Sequence, residues 1–123
     1  MEIIELEKSR FEAGLLVMAY AENRNSIAAL GKKIAALTDW KREGGPVDLT
    51  DIRELYLEDG DRWRGWGYAI NCVDMPDIDE SPDGITIEQR ELAGLLDAKA
   101  AMRAQAGTIK RRIVALGRRM MKA

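Results

Sequence analysis

The chain has 123 residues, 46% of them hydrophobic and 33% charged, with a net charge of −2, one cysteine and no histidine. That is the size of one domain with an ordinary globular composition, and no apolar run approaches the roughly 20 residues a membrane span needs. The missing histidine removes the commonest general base, the commonest zinc ligand and every Ser-His or Cys-His nucleophile pair.

Charge is spread unevenly. Residues 41–85 carry 12 acids and 5 bases, whereas residues 86–123 carry 3 acids and 9 bases. Such asymmetry points to internal pairing or to two surfaces with different partners. The acidic start, Met1-Glu2-Ile3-Ile4-Glu5, reads against a secretory signal, and the lone Cys72 excludes an internal disulfide. A cytoplasmic protein is expected.

Residues 2–39 read as one long helix. Leu6, Ser9, Ala13, Leu16, Tyr20, Asn23, Ile27, Leu30, Ile34 and Leu37 follow at alternating steps of three and four, the spacing of a two-helix seam. A second row, Ile4, Phe11, Leu15 and Met18, widens the apolar face of the first half, and a wide face touches more than one neighbour. These four residues are the expected oligomer interface. The polar patch Glu22-Asn23-Arg24-Asn25-Ser26 is a place for a kink, but the seam stays in phase across it and predicts continuity. Gly44-Gly45-Pro46 forces an end near Trp40.

Residues 47–84 form an insert. Asp48 or Thr50 caps a short helix through Leu55. Residues 62–70 read as a second short helix with Trp63, Trp66 and Ile70 on one side, or as the return strand of a hairpin with residues 55–57. The helix is preferred because isolated two-stranded hairpins are marginal. An acidic loop with Pro76 and Pro82 follows. Thr86 and Gln89 make a capping box that starts a last helix over 87–122. Its seam is Leu92, Leu95, Lys99, Met102, Ala106, Ile109, Ile113, Leu116 and Met120, apolar except for Lys99, where a single charge sets register. The expected fold is all-α: a single domain of two long antiparallel helices with a mainly helical insert and an acidic loop between them.

No motif fixes a reaction, and neither catalysis nor a cofactor is expected. Asp79, Ser81 and Asp83 mimic the opening of a calcium loop, but its twelfth position is Arg90 and not a bidentate glutamate, so a plain acidic turn is preferred. Gly65-Trp66-Gly67 lacks the third glycine of a dinucleotide turn.

Tyr56, Arg62, Trp63, Arg64, Trp66 and Tyr68 are the residue types that dominate interface hot spots, with Asp74, Asp77 and Asp79 as an acidic rim. The competing role for the tryptophans is core. These residues predict a non-enzymatic protein-interaction module, an adaptor or inhibitor, that oligomerises through its long helices. The alternative is a nucleic-acid-binding protein using Arg103, Lys110, Arg111, Arg112, Arg118, Arg119 and Lys122. Because Lys110, Arg111 and Arg112 fan around a turn, a solvated helix end is the simpler account of that set.

Overall fold

A computed structural model describes residues 3–53, 65–67, 70 and 85–122. The protein is all-α, with no strand among the described residues. Helix α1 spans Ile3–Thr38 and helix α2 spans Ile87–Met121, and the two pack against each other. At 36 and 35 residues they are about 54 and 52 Å long. The chain divides into two compact units, Met1–Ala29 with Ala100–Ala123, and Leu30–Lys99.

In the first unit α1 and α2 run antiparallel. Glu12 meets Arg119 at 3.7 Å, Tyr20 lies under the Lys110 ammonium at 5.6 Å, and Asn23 reaches Met102. Successive pairs therefore advance along α1 as they retreat along α2. The seam residues are the ones turned inward. Asn23, Ile27, Ala106, Ile109 and Leu116 are buried, and Leu6, Ala13, Leu16, Met102, Ile113 and Met120 are partly so.

α1 passes through the polar patch without a break. Ser26 folds its hydroxyl back onto the Glu22 carbonyl instead of capping a new helix, which leaves the backbone ladder intact. Asn23 points into the seam. Its Nδ2 donates to the Met102 carbonyl at 2.9 Å and to Gln105 Oε1 at 3.4 Å. Its Oδ1 is buried without a hydrogen-bond partner among the described residues. A buried amide of this kind costs stability and fixes register, because any slip of the helices would leave the donor unpaired as well.

The second unit contains the remaining core. Leu49, Ile52, Ile85, Leu92 and Ala93 are buried together, and Ile34, Leu37, Val47, Trp66, Ile70 and Leu96 pack on them. α1 stops at Thr38. Two turns follow, in which Arg42 N donates to Asp39 O and Gly45 N to Arg42 O. Gly44 and Gly45 have φ of 86° and 84°, a backbone conformation that glycine adopts without a Cβ clash. Val47 N then donates to the Leu37 carbonyl at 2.8 Å, so the returning chain satisfies an orphan acceptor at the helix end.

Both predicted caps form. Thr86 N donates to Gln89 Oε1 and Gln89 N to Thr86 Oγ1, the reciprocal capping box, and Gln89 Nε2 also donates to the Asp48 carbonyl. Asp48 Oδ1 accepts from Thr50 N at 3.0 Å and Thr50 Oγ1 at 2.6 Å, opening the helical turn at residues 50–53.

The Thr50 hydroxyl and then the Thr50 N–H hold the Asp48 carboxyl below the usual aspartate value of 3.8. A depressed native pKa makes this cap complete above the unfolded value and lets it fade as pH falls through the native one. An NMR titration is expected to place the Asp48 midpoint below 3.8, and Thr50→Ala to move it up toward that value. Replacing the half-satisfied amide, Asn23→Leu, is expected to raise the thermal midpoint. A lower midpoint would show that the Asn23 bonds outweigh its desolvation.

Candidate interaction surfaces

Of the insert residues read as a recognition surface, Trp66 is described. Tyr56, Arg62, Trp63, Arg64, Tyr68, Asp74, Asp77, Asp79, Ser81 and Asp83 lie outside the described residues. So does most of the 55–70 segment for which helix and hairpin compete, though Trp66, Gly67 and Ile70 are helical. Trp66 is half-buried against the second unit's core and helps line an open cleft of about 450 Å³ with Val47, Leu49, Arg53, Leu92 and Leu96. This is the position of a core residue with one exposed edge.

The base of that segment is held by Asp97 of α2, a residue the sequence pattern did not single out. Its two carboxylate oxygens accept from successive backbone amides, Oδ1 from Trp66 N at 3.2 Å and Oδ2 from Gly67 N at 2.6 Å. A carboxylate at a helix start satisfies orphan N–H groups and complements their partial positive charge. Here the cap comes from a helix 30 residues away in sequence.

The two glycines follow from this contact. Gly65 has φ of +113°, which strains any other residue. A Cβ on Gly67 would stand 2.7 Å from Asp97 Oδ2. The Gly-Trp-Gly triplet is therefore a close approach of backbone to carboxylate. The only faint mark of it in the sequence was two glycines where a helix was expected.

On the first unit, the second row of α1 is uncovered. Ile4 is 64% exposed, Phe11 71%, Leu15 52% and Met18 61%. They lie on the side of α1 away from the seam, and no described segment covers them. Val17 and Val114 are also more than half exposed, but as scattered apolar residues they are ordinary.

All seven C-terminal cations, Arg103, Lys110, Arg111, Arg112, Arg118, Arg119 and Lys122, are exposed. They are not one clear stripe. Lys110 lies over Tyr20, Arg119 pairs with Glu12, and Arg111 donates to Thr108. Lys99 is half-buried on the seam of the second unit, its Nζ beside Gly31, where a Cβ would be 3.7 Å away. The glycine leaves room for the lysine head within the stripe.

Among the described residues there is no cluster of three metal-ligating side chains, and no helix long and apolar enough to cross a membrane. Protein-family models, curated proteins and solved structures offer no match to this chain.

Gly67→Ala is expected to lower the thermal midpoint, although alanine at an ordinary helix start is stabilising. In an Asp97→Ala background the same change is expected to be neutral or favourable, a non-additivity that identifies the shared contact. Equal effects of Gly67→Ala in both backgrounds would show that the carboxylate is not what excludes the methyl group.

Proposed function

We propose that this protein is a non-enzymatic protein-interaction module of the cytoplasm, an adaptor or inhibitor. Its long helices carry an association face, and its insert carries an aromatic and arginine-rich recognition segment. The observation that supports this reading is the row Ile4, Phe11, Leu15 and Met18, each more than half exposed on one side of α1. An apolar row kept in water costs solubility without adding to the core, and exposed apolar surface of this kind marks interaction sites. The grip of Asp97 on Trp66 and Gly67 supports the second half of the reading. It ties the backbone beside the insert's aromatic residues to a long helix, and recognition segments work best on a rigid base.

The nucleic-acid reading has one observation in its favour, the exposure of all seven C-terminal cations. Against it, Lys110, Arg111 and Arg119 have intramolecular contacts, and the chain as a whole is acidic. Phosphate-driven binding requires a net of free cations.

Capture of proteins from the native host with wild type, Phe11→Glu and Trp63→Ala tests the proposal. A partner retained by wild type and lost with either folded variant is the expected result. Nonspecific DNA and RNA are expected not to bind at low salt. Binding that weakens steeply with added salt, with no captured protein sensitive to either substitution, would replace the interaction module by the nucleic-acid reading.

A further inference from the structure

The exposed row on α1 is a second heptad stripe. Its spacing runs Ile4, Lys8, Phe11, Leu15, Met18, Glu22 in steps of four and three, and every member is exposed. The two charged members lie seven residues either side of Leu15. Lys8 and Glu22 are two turns from the centre of the stripe, in opposite directions, and neither has an ion-pair partner among the described residues.

We propose that this stripe pairs with the same stripe of a second copy, antiparallel about Leu15, so that Lys8 of each protomer faces Glu22 of the other. The inference rests on the interaction-module reading and names the occupant of its association face.

Charge selects both partner and direction. Antiparallel pairing about Leu15 brings two Lys–Glu pairs together at the ends of an apolar centre made by Phe11, Leu15 and Met18. Parallel pairing in register would set Lys8 against Lys8 and Glu22 against Glu22, which is repulsive at both ends. Polar residues on a coiled-coil stripe specify orientation and register in this way, at some cost in affinity. Beside the centre, Gly14 has open space where a Cβ would project, which leaves room for the second copy's Leu15.

Area bounds the size of the interface. Side chains of this size present about 150–200 Å² each when free, so at their observed exposure the four apolar residues offer roughly 500 Å² per protomer and roughly 1,000 Å² per pair. That is the lower limit of a specific interface, the size class of weak and transient pairs. All the residues involved belong to the first unit, and the seam with α2 is left intact because it faces the other way.

Sedimentation equilibrium from low to high micromolar concentration, at low salt, is the experiment. Wild type is expected to dimerise. Lys8→Glu and Glu22→Lys each turn both attractive pairs into repulsive ones and are expected to raise the dimer dissociation constant about tenfold. The double variant Lys8→Glu/Glu22→Lys restores complementarity and is expected within about twofold of wild type. Phe11→Glu is expected to be monomeric, with unchanged helicity by circular dichroism.

A monomeric wild type at high micromolar concentration overturns the inference. So does a dimer with the same dissociation constant in all three charge variants, which is the result for a parallel or differently placed interface. If wild type is monomeric but Phe11→Glu loses a captured host protein, the face docks another protein, and the interaction-module reading survives without this inference. If no dimer forms and no captured protein depends on Phe11 or Trp63, both fall.

Discussion

Two helices that pack side by side each bury one stripe, and α1 carries apolar residues on two. Everything distinctive about the first unit follows from that geometry. The seam through Leu16, Asn23 and Ile27 turns toward α2, so Phe11, Leu15 and Met18 turn away from it. A third element would be needed to cover them, and none of the described residues supplies one. The second unit solves the same problem differently. There Leu49, Ile52, Ile85 and Trp66 lie on the long helices and give a core with more than two walls. Within the first unit the exposed stripe forgoes burial, the main favourable term available to a small domain, so it needs a reason other than folding.

Polar groups within and beside the contacts supply specificity that apolar packing lacks. Leucine and isoleucine seams tolerate slippage by a heptad. The Asn23 amide does not, since its partner is one particular carbonyl, that of Met102. Asp97 acts similarly on the insert, because a carboxylate shared between two successive N–H groups fixes position and direction at once. Gln89 links two caps by holding Thr86 with its own backbone and side chain while donating to the Asp48 carbonyl. Lys99 and Gly31 make a smaller version of the same device, a charge on the seam matched by a missing side chain. Each of these contacts joins segments far apart in sequence, and each is local in its chemistry.

Much of the fold is legible in the sequence. A three-four spacing held over ten positions has one economical explanation, a helix with a narrow contact face. It placed both long helices to within one or two residues, because glycine, proline and cap residues act through local backbone sterics and nearest hydrogen bonds. The capping box at Thr86 and Gln89 and the cap at Asp48 belong to the same class. The periodicity picked out both rows of α1 but read the second as widening the contact face, whereas Ile4, Phe11, Leu15 and Met18 lie on the side away from the seam.

What the sequence by itself determined is thus everything whose cause lies within a turn or two of chain: the all-α class, the long helices, their stripes and their caps. Tertiary structure alone decided what depends on the approach of distant residues. Asp97 looks like any exposed acid on a helix until Gly67 is brought to its carboxylate, and the role of Gly65 is unreadable until its φ is known. Asn23 could have capped, kinked or faced water, and it became a buried register contact because α2 passes with the Met102 carbonyl within reach. Exposure is likewise a property of what covers a residue. The row from Ile4 to Met18 is apolar in the sequence, but only packing shows that α2 takes the opposite side of α1 and leaves that row to water.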